Sequence, residues 1–154
     1  MAGIKSTPQQ FTDYIAKKQE AKIKALTAAL DYVGMECVAE MRSHGRYNDY
    51  TDRTGNLRSS TGYVVAKDGR IVKGSAFSVV NNGGTGHSEG KAVAKEAANT
   101  VGKTQIGLVL VAGMDYAEYV EKKRNVMASA IELAESETQK YVSKLGFKLN
   151  KVDV

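Results

Sequence analysis

A chain of 154 residues that is 42% hydrophobic and carries a net charge of +5 has the size of one ordinary domain with a real core. Its single cysteine, Cys37, excludes an intramolecular disulfide, and no apolar run approaches the roughly 18–20 residues of a membrane span. The N-terminal MAGIKSTPQQ lacks the apolar segment of a signal peptide, so a soluble protein made in the cytoplasm is expected.

Thr7-Pro8-Gln9-Gln10 is a helix start: a capping threonine, a proline suited to the first turn, and a glutamine that completes a capping box. Phe11, Tyr14, Ile15, Ile23, Leu26, Leu30, Val33, Cys37, Val38 and Met41 then recur mostly at steps of three and four. They form one stripe on a long helix over 8–43, stopped by Gly45, about 54 Å long at 1.5 Å per residue. A helix that outruns its own domain often packs on a neighbouring copy. A break near Gly34 is the alternative.

The junction Thr51-Asp52-Arg53-Thr54-Gly55-Asn56-Leu57-Arg58-Ser59-Ser60 follows. Thr54 can cap a single helical turn over 55–58, and Leu57, its one large apolar residue, should enter the core. Arg53 and Arg58 flank it and suit bidentate contacts with carboxylates. Taken locally, this is a helix-to-strand corner with surface arginines.

Residues 61–66 are rich in β-formers, and Asp68-Gly69 is a hairpin signal. Residues 71–80 read as the returning strand, or as two strands with a bulge at Gly74. The continuous apolar run Ile106–Ala112 predicts a central, buried strand. Between them, 81–104 reads as an insertion: a flexible glycine-rich loop, then a helix-prone half that forms a short helix or a mobile arm, with Lys91 and Lys95 as candidate contacts to a neighbour. Asp115 can cap a short element holding Tyr116, Tyr119 and Glu121. Asn125 can cap a last helix carrying Met127, Ala130, Ile131, Ala134, Tyr141, Val142 and Leu145, which Gly146 ends. The tail 147–154 should be extended. The expected fold is a single α+β domain over 1–154: a long N-terminal helix, a small, mainly antiparallel sheet made of a hairpin plus a central strand, and a C-terminal helix.

Candidate chemistry is sparse. Gly90-Lys91 is followed by Ala92, not Ser or Thr, and Thr85 stands where a phosphate-binding loop needs its first glycine. His44 and His87 fall in expected loops and lack metal-ligand spacing with Cys37, which reads as a small core residue. Ser88 directly follows His87 without a nucleophile elbow, and the carboxylate pairs Glu118/Glu121 and Glu132/Glu135 read as solvated helix faces. No catalytic, cofactor or metal site is therefore expected, and an enzyme is not. The charge is uneven: residues 51–104 hold eight basic and four acidic side chains, while the flanking thirds are near neutral. A small basic nucleic-acid-binding protein using 53–103 is the alternative reading.

Arg53-Thr54-Gly55-Asn56-Leu57-Arg58-Ser59-Ser60, followed by a hairpin and later by Tyr116-Ala117-Glu118-Tyr119-Val120-Glu121, resembles the tail-completion or head–tail joining proteins of long-tailed bacteriophages. That family pairs an R-T-G-x-L-R-x-S corner with a later Y-A-x-Y-V-E segment and a C-terminal helix, and the order of elements over roughly 10–145 is similar. Two features depart from the pattern: Lys122-Lys123-Arg124 follow Glu121 in place of a glycine-rich turn, and the last helix has no proline near its start. The resemblance implies a structural virion protein of the phage neck, made in the host cytoplasm and assembled as a homo-oligomeric ring. Its implied partners are the portal or head-connector proteins, a tail-tube or tail-terminator protein, and DNA in the lumen, with no membrane. Arg53, Thr54, Arg58, Tyr116, Tyr119 and Glu121 are the implied interface, with an arginine of the corner meeting an acid such as Glu121.

Overall fold

The computed structural model describes residues 7–46, 53–75, 77–115, 117 and 126–149. Helix α1 spans Pro8–Arg46, about 58 Å at 1.5 Å per residue. The capping box closes as the sequence expects: the Thr7 amide donates to Gln10 Oε1 at 3.0 Å, and the Gln10 amide to Thr7 Oγ1 at 3.2 Å. The helix does not break at Gly34. That glycine is buried because the Tyr63 ring lies against it, and a Cβ there would sit 2.2 Å from a ring carbon. The absent side chain admits the ring, and tertiary packing offsets the low helix propensity of glycine.

Helix α2 (Asn56–Ser60) leads into β1 (Thr61–Lys67) and β2 (Arg70–Gly74). Asp68 and Gly69 take φ of 54° and 76°, the positive pair of a type I′ hairpin turn. Helix α3 (Gly84–Ala98), β3 (Ile106–Ala112) and α4 (Val126–Leu145) complete the described elements. The sheet is antiparallel with order β2-β1-β3.

The strands alternate between two cores, as a pleated sheet requires. Tyr63 and Val65 face α1 and α4, where Leu30, Val33, Cys37, Met41, Ala130 and Val142 are buried. Val64 and Ala66 face α3, with Phe77, Ala94, Ala98 and Val111. Helices thus cover both faces of the sheet. The α4 C-terminus ends at Gly146 (φ 75°), with the Phe147 amide donating to Val142 O at 3.0 Å in a Schellman-type closure.

The α+β class, the long first helix, the hairpin and the last helix are as the sequence indicates, except that α1 runs through Gly45 to Arg46 instead of stopping before it. The central strand is β1, not the apolar run 106–112, which forms edge strand β3. Its continuous hydrophobicity reflects two helix-covered faces rather than two flanking strands. β2 stops at Gly74, and the pairing irregularity falls opposite Val65/Ala66, not at Gly74. The segment 81–104 is not a flexible arm: it holds α3, packed on the sheet through Ala94 and Ala98, each 1% exposed. His87 lies in α3, and the backbone of His44 lies in α1, so neither is in a loop. Asn125 and the tail beyond 149 lie outside the described residues.

Candidate subunit interface

The Arg53–Ser60 corner is tied to three separate parts of the chain. Gly55, at φ 76°, takes the N-cap position, one residue later than the sequence suggests. Only glycine fits there: a Cβ would lie 2.0 Å from Val80 O. Thr54 still contributes, since its Oγ1 accepts from the Asn56 amide at 3.3 Å. Leu57 is 2% exposed, as expected for its one apolar side chain.

From this turn the polar side chains reach outward to the rest of the fold. Ser59 Oγ accepts from the Val80 amide at 2.8 Å, and Asn56 Oδ1 accepts from the Gly86 amide at 3.1 Å. Ser60 Oγ donates back to Leu57 O, and Thr61 Oγ1 to Arg58 O, each at 2.7 Å. Arg42, in the last turns of α1, donates through Nε to Thr61 Oγ1 and through Nη2 to Thr61 O, both at 3.2 Å, with Ser78 O at 3.5 Å. Burial lowers the Arg42 pKa from its usual value. His87 Nδ1 meets Phe77 O across the same junction.

The glycine-rich stretch belongs to this joint. A Cβ at Gly86 would meet Asn56 O at 1.9 Å, one at Gly90 would meet Ser60 O at 2.6 Å, and one at Gly83 would meet Ser59 Oγ at 2.1 Å. These glycines let α2 and α3 approach backbone to backbone. Composition alone makes the stretch look like a loop; its spacing serves helix contact.

Arg53 and Thr54 are exposed at the corner, while Arg58 is partly buried. Lys91 and Lys95 are exposed along α3 and, with Arg70 and Ile71, line a groove of about 490 Å³ beside the hairpin. It adjoins a smaller space of about 240 Å³ under Val64, Phe77 and Ala94. One face of α3 therefore holds the corner, and its flank presents the lysines. Tyr116, Tyr119 and Glu121 lie outside the described residues, and with them the expected arginine–glutamate contact.

Three polar features were not read from the sequence. Arg42 is one; its signal is a charge directly after Met41, at the border of the apolar stripe. The second is Asp31, whose Oδ1 accepts the Tyr63 hydroxyl at 2.7 Å and whose Oδ2 lies 3.8 Å from Lys73 Nζ. Burial first, then the hydrogen bond and charge of Asp31, push the Tyr63 phenol well above its ordinary value. The third is Glu89 on α3, whose Oε2 is buried with no hydrogen-bond partner among the described residues. No group of three His, Cys, Asp or Glu among the described residues is placed to hold a metal ion.

Comparison with protein-family models, curated proteins and solved structures returned no match.

Proposed function

We propose that this chain is a structural protein of a phage neck, a ring subunit that joins the head connector to the tail. The observation that carries the reading is the build of the Arg53–Ser60 corner. The motif that resembles the joining proteins is bonded to Val80 and to α3, and its next residue, Thr61, to Arg42 of α1, yet it leaves Arg53 and Thr54 exposed. A rigid joint presenting a basic side chain suits a head-to-tail contact between identical subunits, closed by rotation. Arg53 or Arg58 would meet an acid such as Glu121 within the subunit or across the ring.

The test is the mass of the purified chain in solution, alone and with its head-connector or tail-tube partner. A closed ring in either case supports the reading, and a persistent monomer in both refutes it. Arg53→Ala and Arg58→Ala should keep the fold and lose ring formation or docking. Unchanged assembly in both variants removes the arginines from the interface.

One observation favours a second reading. Arg70, Lys91 and Lys95 line the same groove, and three cations so placed can meet a nucleic-acid backbone. Three phosphate contacts on duplex DNA would give a log–log salt slope of about −2.7. A monomer that binds duplex DNA with that slope would replace the ring reading.

A further inference from the structure

The first half of α1 carries large apolar side chains that nothing within the described fold buries. From Thr7 to Ala25 every residue is exposed except the partly buried Ile23. Phe11, Tyr14 and Ile15 are 59%, 56% and 41% exposed. The stripe that enters the core continues into this half only in part, since Thr12, Gln19 and Glu20 stand one 18-residue repeat before the buried Leu30, Cys37 and Val38. Eighteen residues are five whole turns of an α-helix. Ile15 therefore lies on the meridian of Val33, and Ile23 on that of Met41, and both of those are fully buried. At these two positions the meridian is core in one half of the helix, and exposed at Ile15 and partly covered at Ile23 in the other.

This overhang is also a committed helix. Its capping box is closed, Gln9 Nε2 donates to Asp13 Oδ1 at 3.0 Å, and Lys18 Nζ stands 5.5 Å from the Tyr14 ring centre. It projects about 27 Å at 1.5 Å per residue. In proteins most helical stability comes from packing of one face rather than from propensity. Three large exposed apolar residues on a bare helix are explained by a partner that buries them.

Charge identifies that partner. The overhang carries Lys17, Lys18, Lys22 and Lys24 against Asp13 and Glu20. The outer seam between α1 and α4 has the opposite character. There Tyr32 and Met35 are 49% and 51% exposed, and the Tyr32 hydroxyl donates to Glu36 at 2.8 Å. Glu137 lies close enough to act on the same hydroxyl, and Glu36, Glu40 and Glu137 all act on Cys37 beneath; Lys140, paired to Glu137 at 2.7 Å, offsets one of these three acids and leaves the seam net negative. An apolar strip flanked by lysines thus matches an apolar strip flanked by glutamates, and the two occupy successive stretches of the same helix α1.

We infer that the α1 overhang is a subunit-joining arm: its Phe11/Ile15 face docks on the Tyr32–Met35 seam of a second copy of this chain, with its lysines against Glu36 and Glu137. Because arm and seam are different surfaces, the contact can propagate from copy to copy and close by rotation, as the ring requires, whereas reciprocal exchange would stop at a two-fold dimer. The inference rests on the self-assembly reading above and names the surface that carries it.

The test uses the full chain, in the presence of the connector or tail-tube protein where assembly requires it. A Phe11→Ser/Ile15→Ser variant should keep its far-ultraviolet spectrum and associate about 100-fold more weakly or worse, given the transfer value of two buried side chains. Zero-length carbodiimide coupling of mixed ¹⁴N- and ¹⁵N-labelled wild-type chains should give inter-chain links from the arm lysines to Glu36 or Glu137. An oligomer that survives the double substitution, or arm links only to other surfaces, overturns the arm and leaves the ring standing. A wild-type chain that stays monomeric with every partner overturns both. Adsorption of that monomer to phosphatidylserine vesicles, lost in the variant, would assign the basic amphipathic overhang to a membrane surface and also overturn the inference.

Discussion

Replacing Gly86 by alanine isolates what the glycine-rich stretch does. A Cβ there would lie 1.9 Å from Asn56 O and 2.7 Å from Asn56 C, both backbone atoms that no rotamer change can move. α2 must shift away from α3, and such overpacking costs about 1–3 kcal/mol. The shift also weakens the bond from the Gly86 amide to Asn56 Oδ1 at 3.1 Å, adding about 0.5–1.5 kcal/mol. Alanine returns up to about 1 kcal/mol of helix propensity. The net expectation is a loss of about 2 kcal/mol, or roughly 4–8 °C in Tm for a chain of this size. Gly84, two residues earlier in the same helix, is the internal control, because a Cβ there meets nothing within 4 Å. Gly84→Ala should be neutral or stabilising by up to about 1 kcal/mol. Urea unfolding at one fixed protein concentration measures both, since assembly contributes to apparent stability. If Gly86→Ala proves as stable as Gly84→Ala, close helix approach is not what this glycine serves.

Cys37 is fully buried, with Sγ 3.4 Å from Ala130 O. Burial, with smaller contributions from Glu36, Glu40 and Glu137, pushes its thiol up to about 11. Iodoacetamide at pH 8 should leave it unmodified in the folded protein and alkylate it readily in urea; rapid labelling of the native chain would refute the packing. Because the folded-state value is raised, its contribution to stability is intact below the unfolded-state pKa near 9 and fades as pH rises through about 11. Tyr63→Phe removes the hydroxyl bond to Asp31 and should cost about 1–2 kcal/mol at neutral pH. The Tyr63 phenol is also raised, so its contribution is complete below about pH 10 and is lost above it. The variant should accordingly show a shallower alkaline fall in stability, and an identical fall would refute the coupling. Arg42→Met keeps much of the apolar stem but removes the bonds to Thr61 and Ser78. It should cost about 1.5–3 kcal/mol in urea unfolding, and a loss below about 0.5 kcal/mol would show that the corner does not depend on it.

The sequence by itself determined the local elements. The capping box at Thr7–Gln10, the Asp68-Gly69 turn and the Gly146 stop are short-range signals, each satisfied by atoms a few residues away, and the period of the α1 stripe is equally local although its cover is not. Leu57 was legible for the same reason, as the one large apolar residue of its turn. Tertiary structure alone decided where those elements went. The apolar run 106–112 could not announce whether strands or helices covered it, because both present the same hydrophobic surroundings. Gly34 and the glycines of 83–90 read as breakers because glycine is locally weak in a helix. Their use depends on the Tyr63 ring and the Asn56 and Ser60 carbonyls, which are distant in sequence. The corner motif was visible as residues but not as a joint, since its partners Val80 and Gly86, and Arg42 through Thr61, come from three other segments. The exposed half of α1 follows the same logic: its apolar residues are visible in the sequence, and only the tertiary structure shows that cover among the described residues begins near Ile23.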